Sequence, residues 1–463
     1  MGVPTMRVLL VGSGAREHAI ATALTRSLEV ELYAAMTSRN PGIMRLAKET
    51  SVMRITDPAV VANYAKRADV ELAIVGPEAP LVYGVVDALR ELGIGCVGPT
   101  RKLASLEGDK AFCRELLNKH RIPGNPKYHV FTDLDSAESF LGSAGPVAIK
   151  PVGLTGGKGV KVSGQDLPTK DSELAYAREI FRNKIGGLEK LLVEERLDGE
   201  EYSIQAFVDG KDVHVMPLVQ DHKRAYDNDL GPNTGGMGSY SDHNHLLPFV
   251  SQADLEVSSQ IMVDVIRALR KDTGEDYGGI LYGQFMLARG LGEEKPSPKL
   301  VEFNCRFGDP EAMNVLPILS EDFLEVCQRI AEGTLKSKHV SFKGKATVCK
   351  YLVPLGYPEN ASVGQVVSVN EDAVKSSGSL VFYASVDMKG SQIVTTASRA
   401  IAVVGVDDTI EAAEEISETS TKHVTGPLEH RHDIGTLRLI QKRIDHMKSL
   451  NSLSGAQGRP SWD

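Results

Sequence analysis

Cysteine is scarce and scattered. The five in 463 residues stand at positions 96, 113, 305, 327 and 349, and no two form a CxxC pair. That spacing offers no disulfide framework and no zinc ribbon, and it fits reduced thiols in the cytoplasm. Tryptophan occurs once, and aromatic and basic residues do not interleave into a platform for stacking single strands. An excess of positive charge is also missing. The 52 Lys and Arg face 61 Asp and Glu, a net charge of −9, which argues against a chain that tracks nucleic-acid backbone. No stretch reaches the ~18 apolar residues of a membrane span. The early run MRVLLVG is too short for a secretory leader and lacks a small-residue cleavage site. Internal repeats are absent. What is left is an ordinary composition, 42% hydrophobic and 24% charged, in a length that suits roughly three domains.

Local patterns divide that length. Residues 7–11 (RVLLV) read as a buried parallel strand, followed by a Gly12-Ser13-Gly14 turn and a helix over about 16–24. Further strands at 30–35, 70–75 and 96–97 predict a doubly wound, Rossmann-like α/β domain over 1–104. A helix over 111–120 leads to Pro123 and Pro126, which mark a linker. Residues 127–193 predict a small α+β unit: the strands VAIKP and GVKVSG flank a glycine loop, with a helix over 173–182 and the strand LLVEE. Residues 201–330 alternate the strands YSIQAFV, VHVMPLV, ILYGQFML and KLVEFN with helices at about 254–270 and 321–333. From about 345 to 437 the chain reads as a smaller, separate α/β module, opened by the strand ATVCKYLV and holding a helix near 409–417. The tail from about 447 is polar and predicts frayed structure.

The richest stretch is EFNCRFGDPE, residues 302–311. Side chains alternate faces along a strand, so Glu302 and Asn304 point the same way. A carboxylate and an amide oxygen on one face suit a hard divalent cation, which prefers oxygen ligands and bridges to nucleotide phosphates. Arg306, Asp309 and Glu311 follow within one turn. Any one of these residues alone would read as part of a solvated turn; the cluster reads as a metal and phosphate site.

Several polar loops fall in with it. The turn Gly12-Ser13-Gly14-Ala15-Arg16-Glu17 fails the dinucleotide fingerprint, because Glu17 stands where a third glycine belongs. Its strand–turn–helix setting still offers backbone N–H groups to a phosphate or carboxylate. Gly76-Pro77-Glu78-Ala79-Pro80 ends another strand of the same sheet, where open α/β sheets bind ligands. Lys150, then Gly153, Gly156, Gly157, Lys158 and Gly159, form a glycine-rich hairpin with lysines on both sides. It is not a Walker A loop, yet such a hairpin can fold over a triphosphate, with Lys110 as a further cation. LVEERLDGEEYS, from residue 192, resembles a hinge that holds adenine and ribose. Asp221, Lys223 and the loop Asn233, Thr234, Gly235, Gly236 are too polar for core, and the glycines permit close backbone approach to a ligand. His222 is a candidate general base, set against the plainer reading of a structural histidine. No Ser-His-Asp or Cys-His nucleophile pattern is present.

Taken in order along residues 6–437, GSGAREHA, GPEAPL, GDKAF, GGKGV, DGEE, QDHKR, GPNTGGMG and EFNCRFGDPE resemble the glycinamide ribonucleotide synthetase (phosphoribosylamine–glycine ligase) family of the ATP-grasp superfamily. The resemblance implies an ATP-grasp core (105–126 and 194–335), a lid (127–193), a small C-terminal domain (336–440) and a tail (441–463). It implies ATP-dependent ligation of glycine to 5-phosphoribosylamine through a glycyl phosphate, in purine biosynthesis, by a cytoplasmic monomer or homodimer. Glu302 and Asn304 would hold Mg²⁺ or Mn²⁺. Lys110, Lys150, Gly156, Gly157, Lys158 and Gly159 would hold ATP phosphates, and Glu194, Leu197 and Glu201 adenosine. Gly12, Gly14, Arg16, Glu78 and Pro80 would take the ribose phosphate side. Asp221, Lys223, Asn233, Thr234, Gly235, Gly236, Arg306 and Asp309 would shape the glycine and amine site, with Arg431 a further substrate contact.

Three positions depart from the family pattern. Ala15 stands where glycine is common, His432 where a second arginine beside Arg431 is common, and Gln284 puts a neutral amide in a strand facing the expected metal site. Three other readings compete. One is a different ATP-grasp carboxylate–amine ligase or carboxylase acting on a related phosphoribosyl substrate; another is a nucleotide-dependent oxidoreductase, which Glu17 argues against; the third is a non-catalytic ATP-binding module, which the intact Glu302, Asn304 and Lys158 argue against.

Overall fold

The computed structural model describes residues 5–156, 159–290, 293–335 and 340–452. The N-terminal region is a five-stranded parallel sheet, in the order Glu49–Val52, Val30–Met36, Met6–Val11, Leu72–Val75, Gly95–Val97. Its central strand is wholly apolar over Val8, Leu9, Leu10 and Val11, all fully buried, as expected where helices cover both faces. Strand order reverses on either side of Met6–Val11, so the crevice of this sheet opens at Gly12 and Gly76.

The middle of the chain builds a four-stranded antiparallel sheet, Val213–Val215, Asp198–Asp209, Gly278–Arg289 and Ser297–Asn304. The two long strands pair along their whole length, and Gln284 stands opposite Glu302, with a register shift just after it. The expected strand VHVMPLV is shorter than its pattern suggests. Only Val213–Val215 is strand, since Pro217 has no N–H for a ladder.

The 127–193 region has its own four-stranded sheet, Tyr128–Phe131, Leu191–Glu195, Val147–Pro151 and Lys161–Val162, covered by helices Leu134–Ser143 and Lys170–Asn183. Strand alternation divides its residues cleanly. Val147, Ile149, Leu191 and Val193 enter a small core with the helices, whereas Ala148, Lys150 and Glu194 face a cleft. GVKVSG contributes only Lys161–Val162 as strand.

The C-terminal part forms a module of its own, as its sequence suggests, but one tied to the middle of the chain. Its main sheet, built on Ala346–Pro354, Ile401–Asp407 and Ser379–Tyr383, is extended by Gly238–Ser241 and Gln220–Asp221 from the middle of the chain. One continuous hydrophobic cluster runs through all three of these regions, from Leu9 through Phe207 to Val348. The lid keeps its own core, and the C-terminal part adds a second one around Leu352, Val386, Ile401 and Val403. The polar tail also departs from expectation. Helix Leu437–Ser452 continues into its first residues, with Met447 and Leu450 buried and Arg443 paired to Glu200; the expectation for 453–463 lies outside the described residues.

Candidate active site

A cleft of about 1010 Å³ lies where the N-terminal sheet, the lid, the central sheet and the C-terminal helix meet. At the lid end, Glu194 sits between Arg114, whose Nε donates to Oε1 at 2.6 Å, and Lys150, whose Nζ lies 2.7 Å from Oε2. Both cations also donate to the Val301 carbonyl, at 2.7 and 3.2 Å. Burial alone would raise the proton affinity of Glu194, but the two cations outweigh it and hold the carboxyl below its ordinary range. Lys110 Nζ donates to the Gly153 carbonyl at 2.9 Å, which ties the glycine loop to the helix Lys110–His120. Gly156 lines the cleft, and Gly159 accepts the Tyr176 hydroxyl at 2.7 Å. Gly157 and Lys158 lie outside the described residues.

Glu302 and Asn304 both line the cleft. Burial pushes the Glu302 carboxyl up, but Lys223, Lys110, Lys150 and Arg306 surround it and hold it below the ordinary range, so it is ionised. The amide oxygen of Asn304 accepts from Arg306 Nη2 at 3.0 Å. An ionised carboxylate and an amide oxygen, ringed by cations that also attract phosphate, fit a hard divalent cation shared with a polyphosphate. Arg306 is the hub of this wall, lying 3.1 Å from Glu107 and 3.4 Å from Glu78.

The far end gathers carboxylates. Asp221 and Glu311 are both driven up in proton affinity, first by burial, and Asp221 further by the charge of Glu311. Tyr282 donates to Glu311 Oε1 at 2.8 Å and also contacts Gln284, whose amide donates to Glu201 Oε2 at 2.8 Å. Lys223 Nζ is 3.3 Å from the same Glu201 oxygen. Asp309 accepts from the Tyr351 hydroxyl at 2.5 Å and pairs with Arg399 at 3.2 Å. Arg399 also donates to the carbonyls of Gly235, Gly236 and Asp309, which clamps the 233–236 loop against the 306–309 turn. Gly236 has φ +110°, and a Cβ there would lie 2.6 Å from Asp221 Oδ1. Asn233, Thr234 and Gly235 line the cleft, as do Arg16, Glu78, Leu197 and Glu201.

Four expectations need correction. Glu194 lines the cleft, but each of its oxygens is already taken by a cation, so it places Lys150 and does not offer a free carboxylate to adenosine. The Gly14 N–H, expected to be open to a phosphate, donates to Glu17 Oε2 at 2.6 Å. The Glu17 side chain fills the turn, and a Cβ on Gly12, Gly14 or Gly76 would come within 2.9 Å of it. The glycines therefore make room for Glu17, whose other oxygen orients Arg16 at 2.6 Å. Pro80 is buried outside the cleft lining, within the helix Glu78–Val82. Arg431 is also outside the lining. Its guanidinium is buried against Asp433 and Asp229, at 2.8 and 3.1 Å, and holds the turn that borders the cleft. His222 is fully buried with both ring nitrogens unpartnered, and burial followed by the charge of Arg431 lowers its proton affinity to about 3. It is neutral at physiological pH and only a weak base.

Sequence reasoning missed Arg114, Glu107 and Arg399. Arg114 was within reach, because it follows Lys110 by four residues and so shares its helix face. Glu107 and Arg399 carry no local signal; each acts on a turn some 90 or more residues away.

Comparison with known proteins agrees with this geometry. The profiles of the phosphoribosylglycinamide synthetase N domain, ATP-grasp (A) domain and C domain match residues 6–107, 108–312 and 347–437. The chain is 50% identical to a phosphoribosylamine–glycine ligase of Methanosarcina barkeri over 446 residues, 96% of this chain and all of the other. It is 49% identical to that of Methanothermobacter thermautotrophicus over 448 residues, again covering 96% of this chain and all of the other. A crystal structure of the Thermotoga maritima phosphoribosylamine–glycine ligase superposes with a TM-score of 0.77 at 26% identity, covering 93% of this chain and all of that one. The biotin carboxylase domain of a Hydrogenobacter thermophilus 2-oxoglutarate carboxylase shares the fold alone, with a TM-score of 0.70 at 17% identity over 96% of this chain and 94% of that one. Such a family implies ATP and a divalent metal. The chain belongs to the phosphoribosylglycinamide synthetase family of ATP-grasp proteins.

Proposed function

We propose that this protein ligates glycine to 5-phosphoribosylamine, giving glycinamide ribonucleotide, ADP and phosphate. The observation that carries the reading is the charge division of one cleft. Lys223, Lys110, Lys150 and Arg306 gather around Glu302 and hold it ionised, whereas beyond Lys223 the carboxyls of Asp221 and Glu311 are pushed toward protonation. The full-length relatives named for this activity support it.

A free carboxylate is a poor electrophile. Transfer of the γ-phosphoryl group to the glycine carboxylate supplies a leaving group; the amine then attacks the acyl carbon and expels phosphate. No protein nucleophile is required, and catalysis rests on positioning and charge neutralisation. Glu302 and Asn304 would hold Mg²⁺ or Mn²⁺, which when bound would offset the charge of the nucleotide phosphates. Lys110 and Lys150 orient the phosphates, and the apolar Ala148, Val162, Leu197 and Met286 wall the adenine. Asp221 and Glu311, whose nearby cations do not offset burial, receive the glycine ammonium. Arg16, Glu78 and Arg306 face the phosphoribosyl group. The lid, latched by Arg224 to Asp166 at 2.8 Å, keeps water from the acyl phosphate. The reaction belongs in the cytoplasm.

The test is ADP formation with Mg²⁺-ATP while glycine and phosphoribosylamine are omitted in turn. Release only with both, and glycinamide ribonucleotide as product, is expected. Release with another acid or amine would keep the ATP site and sink the substrate assignment.

A further inference from the structure

Outside the residues that line the cleft, Glu418, His430 and His432 present three ligand atoms that all lie within 4.8 Å of one another. Glu418 comes from the helix Ile410–Thr421, and the histidines follow the short strand Leu428–Glu429. The intervening Arg431 turns inward to Asp229 and Asp433 and is buried. The two imidazoles therefore share the opposite face of an alternating segment, toward the helix. His432 Nδ1 is 2.7 Å from Glu418 Oε1, and His430 Nε2 lies 3.2 and 3.4 Å from Oε2 and Oε1. The rings pack edge to face at 4.3 Å.

We propose that these three residues bind a first-row divalent ion of borderline softness, Zn²⁺ foremost. Two imidazoles and one carboxylate form a donor set that such ions take and that Mg²⁺ does not favour. Bonds of about 2.0–2.1 Å in a tetrahedral site put neighbouring ligand atoms about 3.3 Å apart, close to the separations found. The carboxylate is held in place before any ion arrives. Lys350 Nζ, itself fully buried, lies 2.6 Å from Glu418 Oε2 and 2.6 Å from Glu414 Oε1, and it donates to the His432 carbonyl at 3.0 Å. Glu414 balances the lysine charge and leaves Glu418 Oε1 for the ion. His432 is 66% exposed, so water reaches the fourth position. The site fastens the segment to the helix beside the cleft, since the His432 N–H donates to Asp227 Oδ1 at 3.0 Å and the neighbouring Asn228 and Asp229 line the cleft.

The experiment titrates the full-length protein with Co²⁺ in excess Mg²⁺ and follows its visible absorption, in the wild type, His432→Asn and His430→Gln. One Co²⁺ per chain with the strong bands of low coordination, displaced by Zn²⁺ and weakened about 100-fold or more in both variants, is expected. His432 is exposed, so its variant should fold. No such bands in the wild type, displacement by Mg²⁺, or equal affinity in both variants would overturn the proposal.

Discussion

At one end of the cleft Glu194 is buried between Arg114 and Lys150 and held ionised; at the other, the half-buried Asp221 and the buried Glu311 are pushed toward protonation. Burial opposes charge in both places. The difference is the neighbours. A carboxylate flanked by two cations is settled, and its work is to position Lys150. Where a carboxylate faces another carboxylate, the nearby cations do not offset burial, and an incoming ammonium can add the missing compensation. Satisfied charge marks scaffold, and unsatisfied charge marks where substrate completes the structure.

The comparison can be broken in four graded ways. Glu302→Gln removes a carboxylate that Lys223, Lys110, Lys150 and Arg306 hold ionised, and turnover should fall by about 10²–10³-fold, as read by ADP release at saturating metal. Full turnover would remove Glu302 from the metal assignment. Lys150→Met leaves Glu194 with Arg114 alone. It should raise the KM for ATP by about tenfold and cost about 3 kcal/mol of stability in denaturant titration, with the KM for glycine unchanged. Glu107 is pushed from 4.5 to about 7 by burial, against the pull of Arg306. A raised value means that its contribution to stability is complete below about pH 4.5 and lost as pH rises through about 7. The stability difference between wild type and Glu107→Gln, without ligands, should therefore shrink across that window and level off above it; a flat difference would contradict the assignment. Arg224→Ala breaks the partly exposed link to Asp166, worth at most about 1 kcal/mol. It should raise the KM for ATP by no more than a few-fold through faster lid opening.

Much of this site is readable before folding because its logic is local. Period-two alternation puts Glu302 and Asn304 on one face, and both line the cleft. The same rule sends Lys150 to the cleft and Ile149 to the lid core. What resists reading is long-range. Glu17 looks like a flaw in a phosphate loop until Gly76, from a strand about 60 residues on, closes over it. Arg431 sits in a charged motif that invites a substrate role, yet two aspartates consume it, one of them about 200 residues earlier. Arg399 precedes an apolar strand with nothing to mark it, and only the fold brings it to the 233–236 loop. The C-terminal domain stands as its sequence suggests, but the strand Gly238–Ser241 joins its sheet from afar, which no local pattern marks.

The division of the cleft is tested most directly by steady-state kinetics of Asp221→Asn with ATP and glycine varied separately. The account predicts that the KM for glycine rises by about tenfold or more while the KM for ATP stays within about twofold. A KM for glycine that does not move, or a KM for ATP that rises equally, would contradict it.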